Sequence, residues 1–507
     1  MSRSSPASSN VTARLAENRL GMMTIIQFAL GAAAPLTVVG GIVPTAYATT
    51  GIIGIPLAFL ICGAFLTVWC VGYNAMSRRI SNAGALYAYI SQGLGKPVGV
   101  GAAYVAWLSY NMFQTSAYGL FGVTAKTVIN PLIGYDFAWW AYAAVAWFLV
   151  GTMGLFRVDI NGSILGVLML AEIVVIIVFD LGDLAHPAGG VISVATLAPS
   201  TLLVSTVGAA MVVAITGFTG FENAAYYSEE AKNRKKTVPA ATYLCIVVIT
   251  VLYSGSSWAM SVATGPDHIV DAAGKSGGEL VFTLAADNLG HSFSLIGHVL
   301  LMTSVFAAMV AFHNASARYA FALGREGVVP KLFGRVSARS CAPKWGSFAQ
   351  TVVGAAVIAG YAITGGDPLV QLFFWLGATG GFGVLVLLTV TSAAVIGYFV
   401  RHNVETRWRA LYAPAISLFA LAAAVVGAYL TFTSLLGVDA TSPLGWIFPA
   451  SFVVIGGIGV VWALVLARTR PEVYARIGQG VSTTANARPD ASDPLAIGDH
   501  ELGGTSL

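Results

Sequence analysis

Charge is what this sequence most lacks. Asp, Glu, Lys and Arg make up 9% of its 507 residues, against about a quarter in soluble globular domains. A water-soluble fold of this length needs a charged surface, so that class is excluded. Cysteine is also scarce. Cys62, Cys70 and Cys245 fall in apolar runs and Cys341 in a basic loop, a distribution that gives neither a disulfide framework nor a Cys-based metal site. There is no glycine-rich phosphate loop, no set of side chains at metal-ligand spacing and no nucleophile beside a base, so nucleotide-driven work, a cofactor, a metal centre and catalysis have no support. The net charge of +4 calls for no nucleic acid.

What the chain has is apolar length: 57% of it is hydrophobic and its mean hydropathy is +0.78. Windows of about 20 apolar residues, enough to cross a bilayer, recur at 22–48, 54–76, 98–125, 137–156, 161–181, 202–226, 239–263, 293–317, 346–364, 368–399, 411–435 and 444–467. These predict an all-α membrane protein of twelve transmembrane helices. The first window is too long for a cleaved signal segment and lacks a cleavage site, so it reads as span one. Lys and Arg are retained on the cytoplasmic side during insertion. With the N-terminus inside, 24 of the 26 basic residues fall there and only Lys126 and Lys275 outside. Both termini are therefore expected in the cytoplasm. Residues 1–18 and 470–507 are polar and read as disordered tails flanking one membrane domain, 19–469.

Two spans interrupt themselves. Span one contains Gly31-Ala32-Ala33-Ala34-Pro35-Leu36-Thr37-Val38-Val39-Gly40-Gly41, and span six contains Gly217-Phe218-Thr219-Gly220-Phe221-Glu222. Unwound backbone in hydrocarbon leaves amides and carbonyls without partners at several kcal/mol each, so it survives only inside protein or beside a cavity. The breaks lie five spans apart, the pattern of a five-plus-five inverted repeat that holds a ligand at mid-membrane. Half-helix N-termini there offer N–H groups to an anion and C-termini offer carbonyls to a cation, so a zwitterion fits both. Close helix packing is the plainer use of such Gly and Pro residues.

The span-six run, with Ser228-Glu229-Glu230-Ala231-Lys232-Asn233 and Thr237-Val238-Pro239 after it, resembles the signature of the amino acid, polyamine and organocation transporter family. So do Ser81-Asn82-Ala83-Gly84-Ala85-Leu86-Tyr87-Ala88-Tyr89 and Ala322-Leu323-Gly324-Arg325-Glu326-Gly327-Val328-Val329-Pro330. The resemblance covers about residues 20–468. It implies the LeuT-type fold and a secondary active transporter of the plasma membrane that moves amino acids by alternating access. A polyamine or other organic-amine carrier or exchanger is one alternative, and a sensor without flux is another. Two departures stand out. Many family members grip a substrate carboxylate with a Gly-Ser-Gly-Ile-like run where this chain has Ala33-Ala34-Pro35-Leu36, and a lysine of some proton-coupled members is replaced in span five by Glu172.

The expected substrate site is therefore backbone at Ala34, Pro35, Leu36, Thr37, Val38 and Gly40 and at Thr216, Gly217, Thr219 and Gly220. Phe218 and Phe221 would close over the ligand, with Tyr110, Asn111 and Trp375 as walls. Coupling, to a proton or sodium ion, has five candidates. Glu172 could titrate, bond backbone freed at the first break, or pair with His313. Glu222 reads as a structural acid that caps the nearby helix start. Thr303 and Ser304 are hydroxyls that sodium-coupled relatives would use, although such groups commonly bond back to their own helix. Glu229, Glu230, Lys232, Arg234, Lys235 and Lys236 read as a solvated helix end, with an ion-paired gate as the alternative.

Overall fold

The computed structural model describes residues 20–156, 158–337 and 340–479. Among these the chain is helical and forms no strand, only an isolated bridge from Leu20 to Ala231. We label the principal helices α1 (Met22–Thr50), α2 (Ile55–Ser77), α3 (Lys96–Ile133), α4 (Trp139–Met153), α5 (Val158–Ala185), α6 (Val207–Tyr227), α7 (Lys235–Thr264), α8 (His291–Glu326), α9 (Lys344–Thr364), α10 (Pro368–His402), α11 (Trp408–Leu430) and α12 (Leu444–Thr469). Among the described residues, nine of them, all but α3, α4 and α5, are long and apolar enough to cross a membrane.

Helix α3 is long at 38 residues but carries Ser109, Asn111, Gln114, Thr115 and Ser116, all buried. Its position explains that polarity: it packs against α4, α8, α10 and α12, so its polar groups meet protein rather than lipid. The other contacts form a regular set. Helix α1 packs on α5, α7 and α8 and on the second half of α6, α2 packs on α6 and α7, α10 on α2 and α6, and α4 on α9. The lipid-type faces lie outermost, where α11 exposes Ile416, Phe419 and Leu430 and α12 exposes Trp446, Val453 and Val461.

Segments expected to be plain connections are ordered. The stretch from Gly265 to His291 contains helices Ile269–Ser276 and Leu280–Leu289, and buried Phe282 lies 3.5 Å from where a Cβ on Gly40 would stand. Residues 470–479, assigned from composition to a disordered tail, include helix Pro471–Arg476. Gly478 beyond it donates its N–H to Glu326 at 2.8 Å, and Gln92 donates to the Gly478 carbonyl at 3.0 Å. Residues 1–18 and 480–507 lie outside the described residues.

Of the run after α6 expected to be solvated, Lys232, Lys235 and Lys236 are exposed, but the two acids are held in ion pairs. Arg318 donates to both oxygens of Glu230 at 3.0–3.2 Å and lies over the Tyr227 ring at 4.5 Å. Arg325 makes a two-pronged pair with Glu229 at 2.7 and 2.8 Å, and Glu229 also accepts the Ala83 N–H. Leu20 extends the lock by donating to the Glu230 carbonyl and accepting from Lys232. Glu229 and Glu230 are thus partnered acids because α8 carries two arginines to them across the bundle. Removing one partner from a buried pair strands a charge at about 3–5 kcal/mol. Arg318→Ala should therefore melt well below the wild type in detergent, and Arg318→Met with Glu230→Leu should recover part of the loss. An Arg318→Ala protein that melts with the wild type would show that the pair contributes nothing.

Candidate functional site

Helix α1 is broken at Ala34, which takes left-handed angles (φ 45°, ψ 72°) after the first half ends at Ala33. Pro35 starts the second half and has no N–H to give the Gly31 carbonyl. The next two amides are taken by side chains from other helices. Leu36 N–H points to Glu172 Oε2 at a long 3.5 Å, and Thr37 N–H donates to Ser304 Oγ at 3.3 Å. Ser304 also lies beside the Glu172 carboxylate. On the other side of the break, Tyr253 donates to the Ala33 carbonyl at 2.9 Å.

Helix α6 breaks two residues later than its first glycine suggests. Regular helix runs to Phe218, Thr219 is extended, and Gly220 (φ 120°) leads into a tight turn of helix over Phe221–Tyr227. Only glycine fits at 220: the angle is unfavourable for other residues, and an added Cβ would stand 2.6 Å from the Ala33 amide nitrogen. The two breaks are therefore in direct contact. Glu222 folds back to accept the Gly220 N–H at 2.9 Å and the Tyr110 hydroxyl at 2.8 Å, and its own carbonyl accepts from Tyr73 at 2.9 Å. Tyr110 also shares a short hydrogen bond with Tyr226.

A cavity opens beside the breaks. From α1 it is lined by Ala32, Ala33, Ala34, Thr37, Val38 and Ile42, and from α6 by Val213, Thr216 and Thr219. Its far wall is Phe113, Ser116 and Ala117 of α3, Ala308 and Phe312 of α8, and Phe373, Phe374, Gly377 and Ala378 of α10. None of these side chains is charged. Phe113 and Phe312 stack at 5.0 Å. The hydroxyl protons are already committed: Thr216 donates to the Val212 carbonyl at 2.8 Å, Ser116 to the Phe113 carbonyl at 2.9 Å and Thr37 to Ser304 Oγ at 3.1 Å.

Of the residues expected from sequence, the structure brings Ala34, Thr37, Val38, Thr216 and Thr219 to the cavity wall. Pro35 and Leu36 are buried behind it, and Gly40 faces Phe282 and Leu301. A side chain at Gly217 would meet Phe59 and Val38, and one at Gly220 the α1 backbone. Phe218 does not reach the cavity; it packs against Phe59 and Tyr253 at 6.3 and 6.4 Å. Phe221 lies edge-on to Trp69 at 5.6 Å. Asn111 donates to its own helix at Trp107, and Trp375 donates to the Leu436 carbonyl at 3.0 Å, away from the cavity.

Among the coupling candidates, Glu172 and Ser304 meet at the first break. Glu172 does not pair with His313, which lies between Gln114 at 3.2 Å and Ser347 at 2.7 Å. Thr303 bonds back to the Leu300 carbonyl at 2.8 Å, so adjacent hydroxyls do not act together here. Sequence reasoning missed the four phenylalanines of the wall, Phe113, Phe312, Phe373 and Phe374. One signal was available on α3, where Phe113, Ser116 and Ala117 share a face at helical spacing. None existed on α10, whose first turns, Pro368–Trp375, are wound more widely than an α-helix and so shift which residues face inward.

The sequence has relatives of known name. It is 26% identical over 372 residues to the low-affinity putrescine importer PlaP of Escherichia coli K12, covering 71% of this chain and 74% of that protein. It is 23% identical over 308 residues to the lysine-specific permease LysP of Lactococcus lactis, covering 57% and 59%. A Methanocaldococcus jannaschii protein is 25% identical over 293 residues, which span 55% of this chain and 63% of its own length. The family model for amino acid permeases matches residues 20–459, from the lead-in to the first broken helix to the middle of α12, and the chain belongs to that family.

Proposed function

We propose that this protein is a secondary active transporter that carries a small amine-bearing solute, an amino acid or a related organic amine, across the plasma membrane by alternating access. The observation that carries the reading is the meeting of two broken helices at one cavity, which couples a binding site to the two elements best able to rearrange around it. The names of PlaP and LysP agree with such a solute. In this reading all twelve principal helices cross the bilayer, α1–α5 and α6–α10 are inverted repeats, and α11 and α12 are peripheral.

The packing supports the repeat. Exchanging each helix for its counterpart in the other repeat, five places on from α1–α5 and five places back from α6–α10, maps α1 on α5 to α6 on α10, α1 on α7 to α6 on α2, α5 on α7 to α10 on α2, α5 on α8 to α10 on α3, and α3 on α4 to α8 on α9. The paired Glu229, Glu230, Arg318 and Arg325 then form the closed cytoplasmic gate, with both termini on that side. A solute would sit with its polar head at the breaks and its body among Phe113, Phe312, Phe373 and Phe374. Glu222 holds the second break together, and Glu172, bonded to the first, is the residue through which a proton would act.

Accumulation of labelled solute in sealed proteoliposomes above the amount of protein present tests transport; stoichiometric binding alone would identify a sensor instead. Phe312→Ala should raise the apparent KM for the transported solute about threefold to tenfold while the protein elutes and melts as a folded species, because an aromatic wall contact contributes about 0.5–1.5 kcal/mol. Phe218→Ala should lower stability without that rise in KM. Truncating a buried phenylalanine costs about 3–5 kcal/mol, so its melting temperature falls while the KM of the surviving folded protein stays within about twofold. A raised KM in Phe218→Ala with an unchanged melt would return Phe218 to the site.

A further inference from the structure

Resting on the transporter reading, we infer that the site selects a primary amine with an apolar body and no carboxylate, and that Glu172 and Ser304 together set this selectivity by facing the Leu36 and Thr37 amides to which a carboxylate would bind. A carboxylate needs N–H donors, and the start of a helix is where a bilayer protein can offer them. Here that position is filled from within. Pro35 has no donor, Leu36 points at Glu172 and Thr37 donates to Ser304. At the second break the Gly220 N–H goes to Glu222. The Val38 and Thr219 amides are held by the carbonyls of Ala34 and Thr216.

The acceptors tell the complementary story. A hydroxyl has one proton and two lone pairs, and Thr37, Thr216 and Ser116 spend their protons on protein partners. Their oxygens keep accepting capacity at the cavity wall. At the wall itself, the Ala32 carbonyl lacks its helical donor because the Leu36 N–H is turned to Glu172. The few polar groups left at this mostly apolar wall are acceptors rather than donors, which suits an ammonium group on an apolar body. The rest of the wall is aromatic and aliphatic and has no acid for a second ammonium. A monoamine whose body is alkyl or aromatic fits it better than a diamine or an amino acid.

The test uses the purified full chain in proteoliposomes and three pairs that differ by one carboxylate: phenethylamine and phenylalanine, isoamylamine and leucine, putrescine and ornithine. Phenethylamine or isoamylamine should be taken up with an apparent affinity about tenfold or more above its amino acid, the scale of one lost charge-assisted hydrogen bond. Putrescine should be weaker than both monoamines. Glu172→Ala frees the Leu36 amide and should narrow the phenethylamine-to-phenylalanine ratio about tenfold, a change that general destabilisation would not produce. Ser304→Ala, which frees the Thr37 amide, should narrow it in the same direction and serves if Glu172→Ala does not fold. The inference is overturned if an amino acid matches or exceeds its amine, if putrescine exceeds the monoamines, or if the folded variants keep the wild-type ratio. If none of the six compounds is moved, the transporter reading falls and this one falls with it.

Discussion

A helix can stop inside an apolar bundle only if the amides and carbonyls it releases find partners there, and this constraint organises the centre of the protein. The first break is closed by Glu172, Ser304 and Tyr253, brought from α5, α8 and α7. The second is closed by Glu222 from its own turn, by Tyr110 from α3 and by Tyr73 from α2. Each partner is buried. With so little water to share, a missing partner would leave a polar group at a cost of about 1–3 kcal/mol. The breaks therefore fix the relative positions of most of the helices around them.

The same constraint gives the cavity its chemistry. Donors released by the breaks are consumed by acids and a serine, whereas Pro35 and the turned Leu36 amide leave carbonyls with unused capacity. The hydroxyls of Thr37, Thr216 and Ser116 add to that imbalance because their protons are committed elsewhere. At the basic end of the bundle the logic is one of charge. Two arginines on α8 neutralise two acids that follow α6, and the segment ending at Gly478 is held over Glu326. A rearrangement at the breaks bears on this end too, since only the short last part of α6, Phe221–Tyr227, separates Gly220 from the turn that carries Glu229 and Glu230.

Much of this was legible in the sequence. The apolar runs located the helices, and the Gly-rich stretches of the first and sixth runs located the breaks. Glu222 read as the structural acid of the second break, in keeping with its bond to the Gly220 amide. Phe218 did not read correctly as a wall residue, because nearness to a break along the chain does not fix the direction of a side chain. The helix continues through Phe218 and aims it at Phe59 and Tyr253. Trp375 failed for a related reason: the wide first turns of α10 bring Phe373 and Phe374 inward and send Trp375 to Leu436. The stretch from Gly265 to His291 falls between the apolar windows 239–263 and 293–317 because its two helices are short, and short helices depend on docking rather than on their own periodicity.

By itself the sequence determined that the chain is a helical membrane protein, where its helices break and to which family it belongs. Those properties follow from local composition, since hydropathy, proline and glycine act on the segment that contains them. Only the tertiary structure decided which groups meet at the breaks: that Glu172 faces the Leu36 amide rather than His313, that Arg318 reaches Glu230, and that four phenylalanines from three helices share one wall. These depend on the rotation and register of helices packed against one another. Rotating a helix by a fraction of a turn exchanges the residues that face the cavity without altering its hydropathy.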